Sequence, residues 1–359
     1  HNDVRNAVLG SARRDLTEAE MKQMEGIVEQ AMKDGAVGFS TGLIYIPGTY
    51  SKTEEVVRLA KVTARYHGVY VSHIRDEGDS VVQAIEEALH IGREAKMPVE
   101  ISHFKLSGQQ NWGRSRETIP LIIRAREDWV LADSQDSLRA RLARPGVRKK
   151  MIDYMLGRLK KRKLSHFNYP VVATFKADSN FNGKSIEAVN LMKGKKHRAA
   201  DEAVTILEMM EQGGASMVFH GMSDLDVKVI MQYPYNMFAS DASIRVFNQG
   251  NPHPRGYGTN ARILGKYVRE EKIIVLEEAI RRMTSLPAQK FQLQGRGLLR
   301  EGFAADIVVF NAAEVKDHST YDRPHQYSTG FSYVLVNGQL TVDNGKHNGT
   351  RAGMTLKKQ

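Results

Sequence analysis

Two short segments constrain the fold of this chain more than any other feature. Val-Ser-His-Ile-Arg-Asp-Glu-Gly at 71–78 and Glu-Ile-Ser-His-Phe-Lys at 100–105 each run apolar, then stop at a histidine followed by charge. Strands buried on both faces read as continuous apolar runs, and the first polar residue beyond the strand's C-terminal end faces the mouth of an α/β barrel. Between them, Val81, Ile85, Ala88, Leu89 and Ile91 recur at helical spacing, which predicts a helix over 80–95. The pattern predicts parallel strands over 69–73 and 99–103, each ending in an imidazole, the commonest ligand of a catalytic divalent metal.

The alternation continues on both sides. Residues 16–35 carry Met21, Met24, Ile27, Val28 and Met32 at helical spacing behind a Thr17 cap signal, and 36–40 reads as a short strand. A Gly/Pro loop over 41–50, a helix over 52–66 and a helix over 115–127 follow the same logic, so a parallel α/β sheet is expected. Farther on, basic helices are expected over 134–163, strands over 171–175, 216–219 and 237–239, and helices over 184–196, 199–212, 224–232, 260–271 and 276–284. From Gly295 the texture changes to short alternating strands over 305–311, 331–336 and 339–343 with turns at Asn337-Gly338 and Asn344-Gly345, the mark of a small β domain.

Length and composition bound the function. With 359 residues there is room for a barrel of roughly 250 residues and a smaller domain. No apolar run approaches the ~20 residues needed to span a bilayer. The net charge of +11 gathers in Arg158–Lys163, Lys193–Arg198 and Lys357–Lys358. No aromatic residues interleave these runs, so they read as solvated surface rather than a nucleic-acid platform. The absence of cysteine excludes disulfides, Cys-based zinc sites and thiol catalysis within the chain.

His73 and His103 are therefore the leading metal-ligand candidates. Asp241 follows the strand expected at 237–239; a carboxylate there can hold a metal and move a proton, with capping of the next turn as the alternative. Lys105 lies two residues past His103, and Arg255 sits in Pro-His-Pro-Arg-Gly-Tyr-Gly at 252–258. Both suit an anionic substrate group, with surface solvation as the alternative. His220, in Phe-His-Gly, reads as ligand or as satisfied core histidine, and Tyr45 is a further candidate. His67, His90, His166, His197, His318, His325 and His347 have no such context and are assigned no chemistry. Residues 108–115 mimic a phosphate loop but carry Arg114 where lysine is needed, so nucleotide binding is not expected.

Several runs together resemble the D-aminoacylase family, the N-acyl-D-amino-acid deacylases of the amidohydrolase superfamily. They are Gly38-Phe-Ser-Thr-Gly-Leu-Ile-Tyr, Ser72-His-Ile-Arg-Asp-Glu-Gly, Ile101-Ser-His-Phe-Lys, Asn111-Trp-Gly, Ser240-Asp241, Pro252-His-Pro-Arg-Gly-Tyr-Gly-Thr, Met283-Thr-Ser-Leu-Pro-Ala and Gly302-Phe-Ala-Ala-Asp-Ile-Val-Val-Phe. The resemblance implies a (β/α)8 TIM-type barrel, incomplete here, over 1–294, with 134–200 atypical and helical, and a β-sandwich portion over 295–359. It implies zinc, one or two ions, with His73, His103 and Asp241 as ligands. Asp241 would be general base and acid, and Lys105 and Arg255 would grip a substrate carboxylate. The implied reaction is hydrolysis of the amide bond of a small N-acyl-D-amino acid, with no nucleic-acid or membrane partner.

The chain also departs from the family pattern. The His-x-His pair of the first barrel strand, the metal-bridging cysteine and a Tyr-Pro-Tyr stretch after the Asn-Trp-Gly helix are missing, and the glycines that usually flank the aspartate at 241 are absent. The expectation is a partial deacylase whose first-strand ligands lie upstream of His1, weak or inactive alone, with six or seven barrel strands. Its expected location is cytoplasmic, with a signal peptide ahead of His1 left open. Two alternatives stand: another amidohydrolase, dihydroorotase-like or a dipeptidase, and a non-catalytic remnant of the fold.

Overall fold

The computed structural model describes residues 1–125, 133–134, 147–219 and 221–358. Its N-terminal part is built around a parallel sheet. Strands β1 (Gly38–Tyr45), β2 (Val69–His73) and β3 (Val99–Ile101) pair in the order β3-β2-β1, and β4 (Asp133–Ser134) adds on the far side of β1. β1 runs five residues farther than the short strand expected at 36–40, because Phe39, Thr41 and Leu43 alternate inward along its whole length. Gly38 is required at its start, since a Cβ there would lie 1.8 Å from the Val69 carbonyl oxygen of β2.

Helices cover this sheet as the periodicity predicts. The helix Glu18–Lys33 opens on a capping box in which Thr17 Oγ1 accepts from the Glu20 N–H and the Glu20 carboxylate accepts from the Thr17 N–H. It buries Met21, Met24, Val28 and Met32. With the helices Thr53–Ala64 and Val81–Ala95 it closes a core that includes Phe39, Leu43, Leu59, Tyr70, Ile85 and Ile91. The Met stripe is thus core packing.

From residue 147 onward the order changes. β5 (Pro170–Thr174) and β6 (Ser216–Phe219) are antiparallel and form a two-stranded sheet of their own. The other edge of β5 is taken by the chain at 183–185, where Val172 N–H donates to Lys184 O and Gly183 N–H donates to Val172 O. The helices Val147–Lys161, Ile186–Met192 and Ala199–Glu211 pack here around Leu159, Phe167, Val172, Phe175 and Val189.

The strand expected at 237–239 does not form. A strand needs a ladder partner, and the Phe238 N–H instead donates to Arg282 O of the helix Leu276–Met283, leaving 237–241 irregular. The helix Arg255–Arg262 continues as a π-helical stretch, Ile263–Glu270.

The C-terminal strands form one antiparallel sheet in the order β10-β9-β8-β7, with β7 Ile307–Phe310, β8 Phe331–Val336, β9 Gln339–Asp343 and β10 Lys346–His347. Asn337-Gly338 and Asn344-Gly345 both have positive φ at each residue, as two-residue hairpin turns demand. Phe310 and Phe331 pack with Met231, Leu264, Tyr267 and Val315, so this sheet shares a core with the helices before it. Among the described residues, no helix is long and apolar enough to cross a membrane.

Candidate metal centre

Because β1, β2 and β3 are parallel and in register, their C-terminal ends lie together. Tyr45 ends β1, His73 ends β2, and His103 lies two residues past β3. The Ser102 N–H still donates to Ser72 O at 2.6 Å, and the chain then turns through a left-handed His103, φ 35°. That turn brings the His103 ring against the His73 ring at 4.3 Å between centroids, edge to face. The Tyr45 ring lies 4.6 Å from the His73 ring on another side.

A third group completes the cluster, and it was not among the sequence candidates. Glu77 Oε1 stands 3.0 Å from His103 Nδ1, 3.4 Å from His73 Nε2 and 2.5 Å from Lys105 Nζ. The loop that carries it is fastened on both sides. Arg75 forks onto Glu87, Asp76 accepts from the Gly78 N–H at 2.6 Å, and the Ser107 N–H donates to the Glu77 carbonyl. The sequence signal for Glu77 is its place four residues after His73, within the same motif.

Electrostatics prepare these groups as ligands. Burial, opposed by the Glu77 charge, holds His73 down at about 4, so its imidazole is neutral at pH 7. Burial pushes the Glu77 carboxyl up, but the hydrogen bond with His103 and the positive Lys105 outweigh it and hold the group at about 2. His73 Nε2 is buried and has no hydrogen-bond partner. At 3.4 Å from Glu77 Oε1 it makes a charge contact but no hydrogen bond, and a buried imidazole nitrogen without one is costly unless something coordinates it. One ligand atom each from His73, Glu77 and His103 lies within 4.8 Å of the others, so this donor set fits a divalent cation.

The remaining candidates divide. Lys105 Nζ is 2.8 Å from His103 Nδ1 and belongs to the cluster. Asp241, in the irregular segment with φ 48°, pairs with Arg255 Nη2 at 2.8 Å. Both side chains are about half exposed, at 51% and 43%. Asp241 falls outside the group of mutually close ligand atoms, yet it faces the site. Burial raises the Tyr45 phenol, and Glu77 and Asp241 add to that rise while Arg255 opposes it. His220 lies outside the described residues. A separate apolar cavity of about 260 Å³ beside β3, lined by Leu89, Ile101, Phe104, Ile122, Leu286 and others, includes none of the residues of this cluster.

Comparison with known proteins places the chain among metal-dependent hydrolases of one family. The model of the amidohydrolase family matches residues 226–342. A D-aminoacylase of Alcaligenes xylosoxydans xylosoxydans is 34% identical over 360 residues, covering 100% of this chain and 69% of the relative. An N-acyl-D-aspartate deacylase of the same organism is also 34% identical, covering 99% and 67%. A crystal structure of D-aminoacylase superposes with a TM-score of 0.83 at 32% identity, over 100% of this chain and 70% of that one. The N-acyl-D-glutamate deacylase of Bordetella bronchiseptica, solved with zinc and a phosphonate mimic of the tetrahedral intermediate, superposes with a TM-score of 0.81 at 32% identity, over 99% and 70%. The chain belongs to the D-aminoacylase family of amidohydrolases.

Proposed function

We propose that this chain carries the zinc-dependent hydrolysis of the amide bond of N-acyl-D-amino acids, releasing a carboxylate and a D-amino acid. The observation that carries the reading is the buried His73 Nε2, which makes no hydrogen bond, converging with Glu77 and His103 at the C-terminal ends of parallel strands. The relatives' activities point to the same substrates. The four parallel strands are read as part of a (β/α)8 barrel spanning 1–294, followed by a β portion over 295–359.

In this reading His73 and His103 hold zinc, with Glu77 beside them. When bound, zinc supplies Lewis-acid activation of the scissile carbonyl and of water. Lys105 and Arg255 are the cations available for the substrate carboxylate, and Arg255 can engage it bidentately. Their present partners, Glu77 and Asp241, hold them in place at the mouth of the cluster. Asp241 moves the proton: its carboxylate, held by Arg255 at the mouth of the cluster, accepts a proton from water and returns it to the leaving amine. Tyr45, whose hydroxyl is 3.4 Å from His73 Nδ1, limits where the His73 ring can turn.

The test is a panel of N-acetyl-D-amino acids, their L-isomers, cyclic amides and dipeptides, assayed with the zinc-loaded chain and with its His73→Ala and His103→Ala variants. The expected result is weak hydrolysis, confined to the D-isomers and lost in both variants. Preference for cyclic amides or dipeptides would replace this reading with another amidohydrolase activity. No hydrolysis together with unchanged zinc content in both variants would leave only the fold.

A further inference from the structure

A second cluster of ligand-type side chains lies far along the chain from the first. His166 follows the helix Val147–Lys161, Glu187 is in the first turn of Ile186–Met192, and His197 and Glu202 flank the start of Ala199–Glu211. One ligand atom from each lies within 4.8 Å of the other three. His166 Nδ1 is 2.6 Å from Glu202 Oε1 and 3.9 Å from Glu187 Oε1, and His197 Nε2 is 2.6 Å from Glu187 Oε1. The two imidazoles stack at 4.0 Å, only 21° from parallel.

The charge balance of this cluster is unusual for so basic a chain. Among the described residues neither carboxylate pairs with a lysine or arginine, although Lys193, Lys195 and Arg198 are close in sequence. Those cations go elsewhere: Lys193 and Lys195 to Glu208, and Arg198 to Asp201. Glu202 is fully buried, with its second oxygen taken by the Phe167 N–H. A buried carboxylate needs positive charge or strong donors.

We propose that His166, Glu187, His197 and Glu202 form a second divalent-cation site, of the zinc class, that ties the helices of this region together. Two imidazole nitrogens and two carboxylate oxygens would fill all four positions of a tetrahedral zinc, whereas catalytic sites keep one position open. Ligand atoms on a tetrahedral zinc stand about 3.4 Å apart. Three of the separations here are 2.6, 2.6 and 3.9 Å, and all lie within 4.8 Å, so side-chain rotations bring the four atoms to that spacing. A cation there would join the loop before Phe167 to two helices around the core of Val172, Ile186 and Val189. His166 and His197, which the sequence alone leaves without chemistry, acquire it only through this fold.

The experiment is zinc content by elemental analysis of the tag-free full chain after dialysis in a zinc buffer. It is made on the unaltered chain, on the His73→Ala/His103→Ala double variant, and on each with His197→Ala added. His197 is half exposed, so its removal spares the core. The expected result is one zinc per chain remaining in the double variant and its loss when His197→Ala is added. His197→Ala alone should likewise cost the unaltered chain one zinc equivalent, and should abolish the zinc-induced rise in the thermal midpoint of the double variant. Because this result does not depend on hydrolysis, it stands apart from the deacylase reading. A double variant that binds no zinc while its circular dichroism matches the unaltered chain would overturn the proposal. So would zinc retained in full after His197→Ala.

Discussion

Glu77 is the residue on which the metal centre turns. Its single oxygen Oε1 faces His73, His103 and Lys105 together, so one change there alters two imidazoles and an ammonium. Glu77→Gln is expected to weaken zinc binding by about 10–100-fold, the usual cost of losing a group that orients metal ligands. Competition with a chelating dye would measure it; unchanged affinity would show that Glu77 serves only Lys105. The same two groups give the metal-free chain a defined acid sensitivity. His73 is lowered from 6.5 to about 4 and Glu77 from 4.5 to about 2, so between those values the unfolded chain binds more protons than the folded one. Both contributions are fully present above pH 6.5. The His73 contribution is lost as pH falls towards 4, and that of Glu77 between 4.5 and 2. Urea midpoints measured without metal should fall along that path, and His73→Gln should flatten the upper part of it. The imidazoles themselves are legible in the sequence because each interrupts an apolar run. Glu77 is not, because it lies in a charged loop beside Arg75 and Asp76. Only the fold shows that those two fasten the loop while Glu77 points into the site.

At the level of elements, the sequence reads well wherever the signal is local. Thr17 and Glu20 announce a capping box, and Thr17→Ala is expected to cost about 1 kcal/mol by chemical denaturation. Leu43 on β1 is fully buried in the largest core, and Leu43→Ala is expected to cost about 2–5 kcal/mol. A loss near zero would mean that β1 does not pack as described. What the pattern cannot carry is partnership. Alternation identifies β5 and β6 as strands but says nothing of their direction, and here they pair antiparallel. Likewise 237–239 has the composition of a strand, but among the described residues no strand pairs with it, and its Phe238 N–H is taken by Arg282 O.

Across the whole molecule, chemistry is gathered where separate elements meet. Three parallel strands present Tyr45, His73 and His103 at one end, and the segment after residue 237 supplies Asp241 and Arg255 from much later in the chain. Asp241 and Arg255 are half exposed and paired with each other, so either is available to a substrate that separates them. Asp241→Asn is therefore expected to leave zinc content unchanged while removing turnover, a split that separates proton transfer from metal binding. Most direct is the rate of zinc-dependent hydrolysis of N-acetyl-D-amino acids against their L-isomers, for the full chain and for His73→Ala. D-selective activity that requires zinc and falls to background in His73→Ala is expected of a deacylase site at these strand ends. Equal rates on the two isomers, or activity undiminished by His73→Ala, would contradict it.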